Sequence, residues 1–294
     1  MKSSLTVCAV QQPCNLDRQA NLDLSFAKIH EAAANGADLV ILPELHLDPY
    51  FCQNEDYQHF DLAQPIPGPT TELFSALAKK LGIVIVSTIF EQRTPGLYHN
   101  TAVVFDKDGS IAGKYRKMHI PDDPGFYEKY YFTPGDIGFK PIETSIGKLG
   151  VLICWDQWFP EGARLMALAG AEMLIYPTAI GWDSDDTTDE KQRQLDAWVT
   201  IQRSHAVANG IPVIACNRIG FEKAPGSDSG IQFWGNSFIA GPQGEILVSA
   251  NESESLLLTA TLEKARTERV RQIWPYLRDR RIDEYDNITK RFID

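Results

Sequence analysis

Read along its length, this chain writes one series of elements twice: strand, helix, strand, helix, strand, hairpin. In the first half "LTVCAVQQ" is a strand, and residues 17–35 carry Leu22, Phe26, Ile29 and Ala33 at helical spacing. The strand "ADLVILPE" is ended by Pro43. "TTELFSALAKKLG" follows as a helix with Thr70 or Thr71 as cap and Gly82 as stop, then "IVIVSTIFE" as a third strand. "NTAVVFDKDGSIAGKYRK" is a hairpin turning at Asp108-Gly109. The second half runs through strand 148–154, helix 160–170, strand "EMLIYPTA", a long helix near 187–209, strand "IPVIACNRIG" and a hairpin, "GNSFIAGPQGEILVSA", turning at Gln243-Gly244.

No sequence repeat underlies this repetition of order. It predicts an α/β fold in which two pseudo-symmetric sheets pack face to face with helices outside. No Gly/Ser/Pro linker is long enough to split the chain, so one domain is expected, over residues 1–262. Residues 263–294 are rich in Arg and Asp, and their Ile273, Trp274, Tyr276 and Leu277 have no obvious place in such a core. They are expected to be a C-terminal extension of the domain, either solvated or an oligomerisation arm. A homo-oligomer is the expected assembly.

Charge and cysteine usage narrow the partners. A net charge of −11 repels phosphate backbones, so nucleic acid is not an expected partner, and a cationic small molecule is mildly attracted. No apolar run approaches the ~20 residues of a membrane helix, and "MKSSLTVCAVQQP" does not read as a signal peptide. Five cysteines without a C-x-x-C indicate neither a disulfide framework nor a zinc knuckle, and a reducing cytoplasm fits them. Cys8 and Cys216 lie inside strand-like runs and read as buried hydrophobes.

Three polar residues stand where apolar runs stop: Glu44 in "VILPELH", Lys117 in "GKYRKMHIP" and Cys154 in "GVLICWDQWFP". Taken singly, each has an ordinary explanation as a cap, a surface charge or a structural thiol. Together they suffice for amide hydrolysis: a thiolate attacks the carbonyl, a carboxylate moves protons, and an ammonium steadies the oxyanion. A nearby ammonium should lower the thiol pKa and a nearby carboxylate should oppose it. The six histidines are scattered, and neither His46 with Asp48 nor any paired motif suggests a metal. His99, His119 and His205 lack a supporting Cys–His signature, and no G-x-G-x-x-G implies a nucleotide cofactor. Neither metal nor cofactor is expected.

"LPEL", "RKMHIP" and "CWDQWFPE", in this order, resemble the three signature blocks of the nitrilase superfamily of carbon–nitrogen hydrolases. The resemblance runs from the first strand to about residue 262 and implies a four-layer α-β-β-α sandwich. It implies Glu44 as general base, Lys117 as oxyanion stabiliser and Cys154 as nucleophile, with the backbone N–H of Trp155 as second oxyanion donor. The family's second glutamate maps to Glu128 in "PGFYEKYYFTPGD".

Longer stretches, among them "QRSHAVANGIPVIACNRIG" and "FWGNSFIAGPQGE", are similar to the N-carbamoylputrescine amidases of that superfamily. The similarity implies a carbamoylated amine as substrate, split by water to putrescine, carbon dioxide and ammonia. Asp122, Asp123, Asp183, Asp185 and Asp186 are then candidates to hold the ammonium end, with Tyr50, Trp155, Ala179 and Trp182 as wall residues. A β-ureidopropionase-like hydrolase, whose carboxylate substrate calls for Arg or Lys, is the runner-up. The loops after Lys117 and Ala179 contain more acid than base, which favours the amine. A catalytically silent assembly protein is the alternative of a different class, and the presence of all three reactive residues argues against it.

Overall fold

The computed structural model describes residues 3–294. The first half builds β1 (Ser4–Gln11), α1 (Arg18–Ala34), β2 (Leu39–Ile41), α2 (Pro69–Leu81), β3 (Val84–Thr94), β4 (Leu97–Phe105) and β5 (Ile111–Arg116). A short helix α3 (Glu128–Tyr131) and strand β6 (Ile142–Thr144) lead into the second half. This contains β7 (Gly147–Val151), α4 (Pro160–Leu168), β8 (Met173–Thr178), β9 (Gly181–Asp183), α5 (Thr188–Asn209) and β10 (Val213–Asn217). It continues through β11 (Ile219–Lys223), β12 (Gly230–Trp234), β13 (Phe238–Ala240) and β14 (Ile246–Ser249), then β15 (Leu256–Glu263) and α6 (Lys264–Ile273).

Two six-stranded sheets carry the expected pseudo-symmetry. One runs β15-β1-β2-β3-β4-β5 and the other, read in the matching direction, β6-β7-β8-β10-β13-β14. In each, three parallel strands are followed by an antiparallel hairpin, and an antiparallel edge strand pairs with the first of the three. The first sheet borrows its edge strand from the end of the chain, β15. Both hairpins turn where expected, with Gly109 at φ +87° and Gly244 at φ +75°.

Helices on the outside and a second sheet on the inside cover both faces of these strands, which is why they read as nearly continuous apolar runs. Along β1, Val7 and Ala9 join the core between the sheets, with Val151 and Ile175 opposite. Cys8 and Val10 point the other way, into a cluster with Ile29 and Ala32 of α1 and Phe74 and Leu77 of α2. The helices start at polar caps: Asp17 accepts from Gln19 N at 2.9 Å, and Thr187 caps α5. The cap of α2 lies two or three residues earlier than expected. Gly68 is its cap and Pro69 its first residue, and Thr71 Oγ1 reaches back to Gly68 N at 2.7 Å.

"IPVIACNRIG" is two strands, not one: β10 ends at Asn217, and after Arg218 the chain leaves for a separate three-stranded sheet, β11-β12-β9. Beyond α6, whose Val270 is buried, Trp274, Tyr276, Ile282, Ile288 and Phe292 are exposed. Among the described residues no helix is long and apolar enough to cross a membrane.

Candidate active site

The sheets bring the three reactive residues together at one end. Glu44 follows β2, and its backbone N donates to Thr178 O at the end of β8, a 3.3 Å link from one sheet to the other. Lys117 follows β5, with its N bonded to Asn100 O at 2.9 Å and its O receiving Gly135 N at 2.8 Å. Gly135 must be glycine here, because a Cβ would lie 2.1 Å from Arg116 O.

Cys154 is not the last residue of a strand, as its sequence suggests. β7 ends at Val151, and Cys154 opens a single 3-10 turn over residues 154–158 with φ +43°. A left-handed conformation at a non-glycine residue costs on the order of 1–3 kcal/mol and persists only where its surroundings impose it. The buried carboxylate of Asp156 imposes it here. Its Oδ2 accepts from Ile153 N at 2.9 Å and Tyr115 OH at 2.8 Å, and its Oδ1 from His119 N at 3.0 Å. His119 Nδ1 sits 2.7 Å from the same Oδ1, and its ring stacks 3.7 Å above Phe159. His119 and His205 therefore serve the turn's backbone and its aspartate rather than the thiol, His205 Nε2 lying 2.8 Å from Gln157 O.

Glu44, Lys117 and Glu128 are all buried, at 0%, 1% and 1% exposure. Lys117 Nζ donates to Glu44 Oε1 at 2.8 Å and to Glu128 Oε2 at 2.7 Å. Asn100 Nδ2 adds a 2.7 Å bond to Glu44 Oε1, and Tyr50 OH donates to Glu128 Oε1 at 2.6 Å. Glu44 Oε2 is buried without a partner. Burial alone depresses the Lys117 ammonium, but Glu128 and then Glu44 outweigh it and hold its pKa well above the usual value. Burial raises the Glu128 carboxyl to about 7, with Lys117 opposing and Glu44 adding to the rise.

The thiol resolves the competition posed by the sequence. Burial and then Glu44 push Cys154 well above its usual pKa, and the opposing pull of Lys117 does not compensate. Cys154 is a thiol at rest, with Sγ 3.8 Å from Ala179 O. Such a group attacks only as its proton is removed, and the arrangement provides a carboxylate with an uncommitted oxygen for that transfer.

A cavity of about 600 Å³ opens over Cys154 and Glu128, with Trp155, Ala179 and Asp183 of the expected residues on its wall. Tyr50 and Trp182 stand behind the wall: Tyr50 holds Glu128, and Trp182 packs on Trp234 at 5.5 Å. Asp122 is displaced from the role the sequence suggested. It points to solvent, 4.0 Å from Lys129, and the next residue of the turn, Asp123, lines the cavity. Asp186 and Glu190 add acid to the rim, and Arg193, paired with Glu190 at 2.9 Å, is the one basic residue there among the described residues.

Sequence reasoning missed Asn100 and Asp156. Asn100 opens the quoted "NTAVVFDKDGSIAGKYRK" between His99 and Thr101, and Asp156 lies inside the quoted "CWDQWFPE", so a signal existed for both. His46, weighed against a metal role, has both nitrogens committed, to Ser25 Oγ at 2.9 Å and Ser87 Oγ at 2.8 Å.

A family model described as carbon-nitrogen hydrolase matches residues 6–272. The chain is 44% identical over 285 residues to an N-carbamoylputrescine amidase of Solanum lycopersicum, covering 96% of this chain and 93% of that one. It is 41% identical to a citrullinase of Francisella tularensis, over 99% of this chain and all of that one. A crystal structure of a carbon-nitrogen hydrolase from Helicobacter pylori superposes with a TM-score of 0.96 at 51% identity, covering 99% and 100% of the two chains.

Proposed function

The chain belongs to the carbon-nitrogen hydrolase family, and from that premise we propose that it hydrolyses the ureido bond of N-carbamoylputrescine to putrescine, carbon dioxide and ammonia. The observation that carries the chemistry is the convergence of Glu44, Lys117 and Glu128 beneath a cavity that Cys154 lines. Glu44 takes the thiol proton as Sγ attacks the ureido carbon, and returns it to the departing nitrogen. Lys117 and the backbone N–H of Trp155 receive the charge that develops on the carbonyl oxygen. Glu44 then takes a proton from the water that attacks the S-carbamoyl intermediate and returns it to Sγ, and the carbamic acid released breaks down to carbon dioxide and the remaining amine. Glu128, held by Tyr50, fixes the Lys117 ammonium from its other side.

Support for the amine comes from the rim, where Asp123, Asp183, Asp186 and Glu190 face a single arginine that is already paired. A second reading has one observation in its favour. Arg193 is a cation on the wall, and together with the acids it suits the zwitterionic end of citrulline, the substrate class named for the Francisella relative. The protein works as a homo-oligomer in a reducing cytoplasm. The exposed apolar residues of the 263–294 extension and five free cysteines support this.

Ammonia release from N-carbamoylputrescine, citrulline, N-carbamoyl-β-alanine and simple amides tests the assignment. The highest kcat/KM is expected with N-carbamoylputrescine. Equal or better turnover of citrulline establishes the second reading, and no release from any of them returns the chain to the silent class.

A further inference from the structure

A second buried charge pair stands behind the reactive cluster. Arg218 is fully buried at the junction where β10 gives way to β11, and its guanidinium lies 5.1 Å from the Phe233 ring centroid. Its Nη2 donates at 2.7 Å to both Glu44 O and Leu45 O. Its Nη1 donates to Glu222 Oε1 at 2.8 Å and reaches Asp48 O at 3.4 Å. The other oxygen of Glu222 accepts Tyr50 N at 2.5 Å, and Gln53 Nε2 donates to Glu222 O at 3.1 Å. The ion pair thus holds the backbone of loop 44–53 at four points, and the Gln53 side chain ties the loop to the main chain of Glu222.

That loop carries two side chains of the cluster, Glu44 at its start and Tyr50 in its middle. Between them Leu45 is forced to φ +47°, with its N tied to Thr88 Oγ1 at 2.6 Å. Side chains on a free loop would not hold sub-ångström positions against a buried lysine. A planar guanidinium that bridges two successive carbonyls and a carboxylate does so, because its fork geometry is rigid.

We propose that Arg218 is a positioning residue for the hydrolytic reaction: through the main chain of Glu44 and, by way of Glu222, that of Tyr50, it sets both carboxylates of the cluster against Lys117. The inference rests on Glu44 being the base. Arg218 does not line the cavity and makes its hydrogen bonds to the loop and to Glu222, so beyond the field it adds at Glu44 it acts through the loop.

Arg218→Lys keeps the buried cation and loses the fork. Because misplacement by about 1 Å can cost on the order of 10²-fold, kcat for ammonia release is expected to fall at least ~10-fold with KM nearly unchanged. Alkylation of Cys154 by iodoacetamide, which needs no substrate, should slow in parallel in a variant that still unfolds cooperatively. In single-turnover assays the Glu44→Gln/Arg218→Lys pair should lose less than the product of the two single losses, since part of what Arg218 does passes through Glu44. Full additivity of the two losses, or an Arg218→Lys enzyme with wild-type kcat and alkylation rate, overturns the proposal. If Arg218→Lys does not fold, Arg218→Met/Glu222→Gln removes both charges without stranding one and takes its place with the same expectations. Should the wild type release no ammonia from N-carbamoylputrescine, the substrate reading fails by itself, and the alkylation rates still decide the role of Arg218.

Discussion

Lys117 Nζ donates to Glu44 Oε1 at 2.8 Å and leaves Glu44 Oε2 buried with no partner. The two oxygens of this carboxylate therefore have different work. One is fixed by Lys117 and Asn100, and the other is free to exchange a proton with the thiol, the leaving nitrogen or water. An unpaired buried oxygen is costly unless function uses it. It is the feature that most separates this cluster from an inert buried ion pair.

Lys117→Ala removes an oxyanion donor and leaves Glu44 and Glu128 facing each other without a cation. The expected loss in kcat is ~10²–10³-fold, the scale of one such donor. Steady-state ammonia release checks it, and an unchanged kcat removes Lys117 from the mechanism.

Because burial and Glu44 keep Cys154 protonated at rest, its alkylation should keep accelerating at pH values well above the ~8.5 midpoint of an ordinary exposed cysteine, where the latter has levelled off. Mass-spectrometric rates of iodoacetamide labelling at Cys154 test this. A plateau at or below neutral pH would show a pre-formed thiolate and contradict the assignment of Glu44 as the group that takes the proton in the attack.

Two buried carboxyls bias stability in opposite directions with pH. Burial tends to raise the Glu91 carboxyl, but Arg116, Lys114 and Thr101 outweigh it and bring it to about 2. A depressed carboxylate stabilises the fold above its unfolded value of 4.5, and that contribution is lost as pH drops toward 2. Glu128 has the opposite sign: raised from 4.5 to about 7, it favours the fold when protonated, and stability is lost as pH rises through that interval. His46, which burial lowers from 6.5 to about 3, works against Glu128 over much of the same interval. Glu128→Gln should therefore gain in urea midpoint relative to the wild type as pH rises toward neutral, and identical pH profiles for the two proteins would refute the account.

Asp123→Asn should raise KM for N-carbamoylputrescine by about tenfold or more, the worth of one charge-assisted contact. Asp122→Asn should leave it unchanged, since that side chain faces solvent beside Lys129. Steady-state kinetics on the two variants distinguishes them, and a larger effect at Asp122 would mean that the turn presents the other aspartate to the substrate.

Light scattering should give a mass at least twice 32.9 kDa. The motive is the set of exposed apolar side chains at Trp274, Tyr276, Ile282 and Ile288. Replacing Trp274 and Tyr276 with serine should shift the mass downward, and a monomeric wild type would leave the extension as a solvated end.

The order of elements in both halves was legible in the chain because strands, helices and hairpin turns obey local rules: a period of about two or 3.6 residues, a cap, a glycine at positive φ. The three reactive residues were legible for a related reason, since polar groups that end apolar runs stand out. What pairs across the chain was not legible. The sheet of β9, β11 and β12 joins residues 181–183 to 219–234, and nothing local announces that "NRIG" leaves one sheet for another. Asn100 and Arg218 reach Glu44 across separations of 56 and 174 residues. The turn after Lys117 placed Asp123, not Asp122, on the cavity wall, a choice made by backbone direction rather than composition. The state of the nucleophile was decided in the same way. In sequence, an ammonium and a carboxylate make opposing claims on Cys154 with no means of ranking them. In the fold, removal from water outweighs both: desolvation grows with the number of layers packed around the thiol, and only the tertiary structure sets that number.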